Sequence, residues 1–325
     1  MNQTRAVISV GTNSTRLLVV DFGAKRFGIF GDSLTRVMKA RSVGTRIGEG
    51  LDESRHLNED AMRRTLDVVQ EYGASIGPRT PRPDVIATSA LRRADNAQIF
   101  AESIRDLTGS ELRILDGDEE AGASFRGAVV CLDDVDDVRA GVLDVGGGST
   151  EYATGMHEHA DRTASCEVGA VRLTDWFPAL SGRDGLVQNG VIEAARNRAG
   201  EILQPLKQFD SVQALALVGG SATTALAVSK GHRGSVGEME LTRDSLTGAF
   251  NLLCELPVEK RRTVPGMNPQ RADILPAGML IILTALEMLG HARATVSPTD
   301  LLFGYLLLQH ERELGARFHE ERAAG

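Results

Sequence analysis

Cysteine, histidine and aromatic residues are scarce in this chain of 325 residues, and each scarcity removes a class of protein. Cys131, Cys166 and Cys254 are the only three cysteines, lie far apart and form no CxxC pair. That excludes a disulfide framework and a thiolate zinc site, and fits a reducing, cytoplasmic setting. The seven histidines form no catalytic set; His157 and His159 make an HxH pair that reads as part of a polar hairpin loop. Long apolar runs are missing too. Residues 6–10 are shorter than a signal-peptide core, and 274–289 is interrupted by Pro276, Thr284 and Glu287, so no membrane span is expected. Nor is positive charge in excess: 36 basic against 44 acidic side chains leave a net charge of −8, which argues against a general nucleic-acid or acidic-membrane binder. An anionic ligand must be held by a local site. What is abundant is core material, 42% hydrophobic residues, enough for two domains.

Periodicity gives an α/β chain. Strands are predicted over 6–10 and 17–21, with strand-like material at 27–29 and 34–38, a meander. From Asn58 the pattern is helical, with Ala61, Leu66 and Val69 on one face. Strand 85–88, helix 96–107 with Asn96 as its N-cap, strand 112–115 and helix 119–130 follow. The run from Asp133 to Asp137, with four aspartates, reads as a solvated acidic loop. The chain then restarts: strands 141–145, 150–155 and 163–168, helices 170–177 and 191–209, strand 214–218, and mostly helix to the end. Such alternation implies a layered α/β fold with parallel strands.

The restart repeats the opening at a constant offset of 144 − 9 = 135 residues. Val10, Gly11, Ser14 and Thr15 recur as Val145, Gly146, Ser149 and Thr150, each set an apolar strand, a small-residue turn and a returning strand. Matching hairpins at the head of two halves indicate duplication. Turns of Gly, Ser, Thr and Asn let successive backbone N–H groups point into one space, a nest suited to phosphate oxygens. Gly11, Thr12, Asn13 and Ser14 form one such turn, and Gly146, Gly147, Gly148 and Ser149 a second. Gly219, Gly220 and Ser221 form a third, where a strand opens into a helix and an anion is favoured. Asp144 ends a buried strand beside the second turn, with Glu151 returning next to it. Carboxylates facing phosphates make sense with Mg²⁺ between them; the alternative is that Asp144 caps the turn.

Six blocks carry a resemblance: residues 11–17 (GTNSTRL), 87–92 (ATSALR), 117–121 (GDEEA), 144–151 (DVGGGSTE), 217–221 (LVGGS) and 271–276 (RADILP). In that order they resemble the exopolyphosphatase/guanosine pentaphosphate phosphohydrolase family. The resemblance implies an actin-like, ribonuclease H-like two-domain ATPase-type fold with the active site in the interdomain cleft. It implies the short, two-domain form: residues 1–125 with a C-terminal helix from about 300 to 325 as one domain, and 126–299 as the other. It also implies Mg²⁺-dependent hydrolysis of a terminal phosphoanhydride, with Mn²⁺ and a monovalent cation as further candidates, and a homodimer.

By the same resemblance Glu120 matches the base that deprotonates water, Asp144 and Glu151 the metal-side acids, and the Gly146–Ser149 turn the phosphate loop. Asn13, Ser14 and Arg92 match residues that hold phosphate oxygens. Glu119 reads instead as a helix N-terminal acid complementing the dipole. One departure stands out: the family has aspartate where this chain has Ser9, as the internal pairing of Ser9 with Asp144 also indicates. Inorganic polyphosphate and a guanosine polyphosphate both remain open as substrates. A basic strip, with Lys25, Arg26, Arg36, Lys39, Arg41 and Arg46, tilts toward the long polyanion, unless it is an ordinary solvated face. The rival readings are an actin-like sugar kinase and, because of Ser9, a polyphosphate or nucleotide sensor of weak turnover.

Overall fold

The computed structural model describes residues 3–23, 35–78, 80–132, 138–232 and 239–324, with the side chains of 131 and 315–324 left aside. The strand-like stretch 27–29 and the acidic run 133–137 lie outside the described residues, as do Lys25 and Arg26. Two sheets carry the fold. The first has the order β3-β2-β1-β4-β5, from β1 (Thr4–Val10), β2 (Thr15–Asp21), β3 (Arg36–Val43), β4 (Asp84–Ala87) and β5 (Leu112–Ile114). The second has the order β10-β11-β9-β6-β7-β8, from β6 (Ala140–Val145), β7 (Thr150–Met156), β8 (His159–Cys166), β9 (Ala214–Val218), β10 (Glu240–Thr242) and β11 (Arg293–Val296).

The duplication read from the sequence reappears as topology. In each half a three-stranded antiparallel meander is joined by a parallel strand to the flank of its first strand, and a further parallel strand extends it. The offset survives at the level of register: Ser9 pairs with Arg16 and Val10 with Thr15, while Asp144 pairs with Glu151 and Val145 with Thr150. Both turns close alike, Gly11 N–H donating to Ser14 O and Gly146 N–H to Ser149 O, each at 3.0 Å.

Strand alternation then decides what faces the middle of the molecule. On β1, Ile8 and Val10 join a core with Val69, Tyr72, Phe100 and Ile104 of helices Glu59–Ser75 and Ala97–Thr108. Val7 points to the opposite face, against Leu302 and Leu306 of helix Leu301–Ala324. On β6, Leu143 and Val145 enter the large core of the second half, whereas Ala140 and Val142 meet Ala121 and Phe125 of helix Gly117–Ala128. Two inner helices thus lie between the sheets. They cross at Gly127 and Gly304, where a Cβ on either would run into the other helix's backbone. Ser9 and Asp144 belong to these inward faces, so the repeat aims both positions at the gap between the halves.

Local chemistry explains where element ends differ from the periodicity. Helix Gly117–Ala128 begins two residues earlier than the pattern suggests because Asp116 caps it: its side chain accepts from Glu119 N–H at 2.8 Å, and Glu119 accepts from Asp116 N–H at 3.1 Å. Asn96 sits at the N-cap position but bonds both backbone groups of Leu57 instead of its own helix. The helix predicted over 191–209 divides into Asn189–Ile202 and a 3₁₀ turn Gln204–Gln208 with Pro205 as its second residue. The predicted strand 163–168 is the later part of β8. The tail expected to be mostly helical contains β10 and β11, three and four residues long. Such strands are too short to show a period.

Candidate functional site

A cavity of about 290 Å³ opens between the two sheets at the ends of β1, β4, β6 and β9. The topology dictates this place, since loops leaving the carboxyl ends of parallel strands converge there. Gly11, Thr12, Asn13 and Ser14 line it from the first half; Gly146, Gly147, Gly148 and Ser149 line it from the second. The two turns meet edge to edge: a Cβ on Gly147 would lie 3.0 Å from Thr12 Cβ and 3.1 Å from Asn13 N. Gly219 and Gly220 of the third turn complete the wall. Gly219 has φ +85°, and a Cβ there would lie 2.7 Å from Asp144 Oδ1, so glycine serves both the backbone and the neighbouring carboxylate. Ser221 departs from the expected placement. Its side chain is buried away from the cavity against Gly278 of helix Leu275–Met288.

Glu120 and Asp144 both line the cavity and both are buried. Burial pushes the Glu120 carboxyl above its ordinary range, against the pull of Arg92, whose Nη1 donates to Glu120 Oε2 at 2.6 Å. Arg92 also donates to Leu115 O at 2.9 Å, so its guanidinium orients Glu120. Burial, reinforced by Asp300, pushes Asp144 up to about 6; Ser124 Oγ donates to its Oδ2 at 2.8 Å, which opposes the shift. Asp144 therefore does not cap its turn. Glu151 lies behind the cavity wall, 1% exposed and raised well above its usual value by burial and then by Glu120. Its Oε1 accepts from Ser165 Oγ at 2.8 Å, and its Oε2 has no partner among the described residues. Glu119 is consumed by the capping box, as its helix-end reading anticipates.

Among the described residues no group of three or more His, Cys, Asp or Glu is arranged as a metal cage. The donor set suits a hydrated divalent ion instead. Magnesium keeps several waters and takes one or two carboxylates, and here a cavity-lining Asp144 and the orphaned Glu151 Oε2 are oxygen donors whose mutual repulsion a cation relieves.

Three side chains with no role assigned from sequence belong to the same cavity. Arg16, the register partner of Ser9, reaches Asp300 at 2.6 Å, so the first hairpin has Ser and Arg where the second has Asp and Glu. Arg271 lines the opposite wall, and its guanidinium has no hydrogen-bond or ion-pair partner among the described residues; burial, then the like charge of Arg16, lowers it to about 10. Gly220 leaves it room, since any Cβ there would overlap the guanidinium. The signal was present in the sequence, because Arg16 and Arg271 sit inside two of the resemblance blocks, but only the fold shows them facing one space.

Three described residues of the basic strip are engaged away from the cavity. Lys39 donates to Ser75 O, Arg41 pairs with Glu71 at 2.9 Å, and Arg46 is clamped to Asp273. Trp176 and Phe177 pack against the core of the second half, and the His157–His159 pair forms the exposed end of the β7–β8 hairpin. Cys166 and Cys254 are buried free thiols. No described helix is long and apolar enough to cross a membrane.

Comparison with known proteins agrees with this architecture. The sequence pattern of the Ppx/GppA phosphatase family matches residues 30–312. Exopolyphosphatase 2 of Mycobacterium tuberculosis is 31% identical over 319 residues, covering 93% of this chain and 97% of that protein. A bifunctional 3-dehydroquinate synthase/phosphatase of Fusobacterium nucleatum is 28% identical over 313 residues, which cover 94% of this chain and 46% of the relative, so the chain spans about half of that protein's length. The crystal structure of an exopolyphosphatase from Cytophaga hutchinsonii superposes with a TM-score of 0.82 at 22% identity, covering 95% of this chain and 98% of the other. Two halves with one topology, three glycine turns on a shared cavity, and these likenesses along nearly the whole chain lead to one conclusion: the chain belongs to the Ppx/GppA phosphatase family.

Proposed function

We propose that the protein is an exopolyphosphatase that removes terminal orthophosphate from inorganic polyphosphate with the aid of Mg²⁺. The observation that carries the reading is Arg271, a guanidinium unpaired among the described residues, on a cavity whose other walls include the glycine turns and Glu120. A partly buried cation without a partner favours an anionic ligand, and the turns supply N–H groups for phosphate oxygens. Asp144 would hold Mg²⁺ on the cavity side with Glu151 behind it; bound there, the ion offsets the charge of the phosphate chain. Glu120, oriented by Arg92, holds a water at its carboxylate and takes its proton as the oxygen attacks the terminal phosphorus. The shortened chain leaves with the bridging oxygen. Phosphoryl transfer needs positioning and charge stabilisation more than covalent help, which is what this cavity offers. The resemblance adds a cytoplasmic homodimer as the working form, which sedimentation of the purified protein tests.

A second reading, hydrolysis of guanosine pentaphosphate, is favoured by one feature. Thr223, Thr224, Asn268 and Pro298 are shared between the cavity and an annex of about 480 Å³ walled by Leu226, Ala227, Met267 and Val296. A compartment with one apolar wall and polar Thr and Asn side chains beside phosphate turns has room for a nucleobase. Orthophosphate release by trace enzyme, compared for long-chain polyphosphate and pppGpp, decides between them. Faster release from polyphosphate supports the first reading, faster release from pppGpp the second, and none from either favours the sensor.

A further inference from the structure

We propose that Ser89 is an additional substrate contact, its hydroxyl donating to a phosphoryl oxygen beside Gly148. The proposal rests on the phosphoanhydride reading of the cavity and adds to it a residue that neither the repeat nor the glycine turns point to.

Ser89 opens the five-residue helix Ser89–Arg93 at the end of β4 and lines the cavity. It is 1% exposed, yet its Oγ has no hydrogen-bond partner among the described residues. Other buried hydroxyls find partners within the fold: Thr65, Thr174 and Thr284 each donate to the carbonyl four residues back in their helices, and Thr150 donates to Val168 O. Tyr152 Oη and Ser229 Oγ share the lack of a partner among the described residues, but neither residue lines this cavity. Ser89, at the first helical position, has no such carbonyl behind it, and it is not the cap, a place held by Thr88. A hydroxyl buried without a partner in a folded core is uncompensated, so its presence calls for a ligand.

The surroundings say which ligand. Gly148 packs directly against Ser89: a Cβ on Gly148 would lie 2.6 Å from Ser89 Oγ and 2.7 Å from Thr12 Oγ1. Two hydroxyls from the first half therefore converge on the glycine loop of the second. The amide oxygen of Asn13 is buried in the same wall and also lacks a partner. Three residues along the helix, on the same face, Arg92 holds Glu120 and brings its Nη2 to 3.5 Å from Ser149 Oγ. Hydroxyl donors beside a guanidinium and a backbone nest match the oxygens of a phosphoryl group, with Ser89 and Arg92 carried on one rigid turn.

The test uses Ser89→Ala, which deletes one oxygen, in the full-length protein. Steady-state release of orthophosphate from long-chain polyphosphate should show KM raised about tenfold, the scale of a lost hydrogen bond to a charged group, with kcat changed less than threefold. Thermal melts supply a readout independent of turnover. Without ligand the variant should melt at or above the wild-type temperature, because the hydroxyl is idle there. Added inorganic tripolyphosphate should stabilise wild type more than the variant. An unchanged KM with equal tripolyphosphate shifts overturns the role of Ser89, as does a variant that melts lower without ligand, since that marks a structural hydroxyl. If wild type itself neither releases phosphate nor shifts with tripolyphosphate, the reading of the cavity fails, and the outcomes are thereby distinguished.

Discussion

Asp273→Asn should loosen the seam between the halves by about 2 kcal/mol, and the structure shows how that figure arises. Arg46, in the loop after β3, grips Asp273 in fork geometry: Nη1 donates to Oδ2 and Nη2 to Oδ1, both at 2.7 Å. Arg183 Nη2 adds a third bond to Oδ2 at 3.0 Å, and Gly44 N–H donates to Gln270 Oε1 at 3.0 Å close by. The Asp273 side chain is 8% exposed, Arg46 29% and Arg183 64%. Breaking a fully buried pair costs about 3–5 kcal/mol. Solvent at Arg46 reduces this to about 2, and the exposed Arg183 contact adds little. The amide is isosteric but offers one acceptor where two are used. Urea unfolding at pH 7 should report the loss, and a cycle with Arg46→Met should give a coupling of about 1.5 kcal/mol. Burial opposes ionisation of Asp273, yet the bonds from Arg46 and then Arg183 hold its carboxyl below the ordinary range. The contribution is therefore present above the unfolded carboxyl's pKa of about 4 and lost as pH falls through the lower folded value. A difference under about 0.5 kcal/mol at pH 7, or one that persists unchanged at pH 2, refutes the reasoning.

Other outcomes follow from the same geometry. Arg271→Met should weaken tripolyphosphate binding about 10- to 100-fold by calorimetry while leaving the ligand-free melting temperature equal or higher, because a partly buried unpaired charge is removed. Asp144, held at about 6 against an ordinary 3.8, binds its proton more tightly when folded, so its cost grows as pH rises from about 4 to 6. Asp144→Asn in EDTA should thus raise stability at pH 7.5, by on the order of 1–3 kcal/mol, and leave it nearly unchanged at pH 3.5. Ser9→Asp restores a carboxylate opposite Arg16 and should lower the Mg²⁺ concentration for half-maximal phosphate release at least threefold; an unchanged requirement counts against a role for that position in metal binding.

The parts of this fold that were legible in sequence are those encoded in short range. Short apolar runs bounded by turn residues, such as β1, β6 and β9, announce themselves, and the 135-residue offset carries enough identity at Gly, Ser and Thr to reveal the duplication before any pairing is known. Glycine turns are legible for the same reason, since their residue types answer a local backbone demand. What escaped was set by contacts between distant segments. β11 is a strand because β9 offers it an edge, and β10 because β11 does, not because three or four residues carry a period. Asn96 looked like a cap until Leu57 claimed both its amide atoms. Ser221 shared the turn chemistry of Ser149 but faces Gly278. Arg271 and Asp300, more than 100 residues from the second glycine turn, join the cavity only through the fold of the two halves.

The central claim is that Glu120 activates water against a phosphoanhydride held by the glycine turns. Its most direct test compares wild type with Glu120→Gln for orthophosphate release from long-chain polyphosphate in Mg²⁺, alongside tripolyphosphate binding by calorimetry. The account predicts a fall in kcat of about 10²-fold or more, the scale of a lost general base, with binding retained. A Gln variant that releases phosphate at the wild-type rate contradicts it.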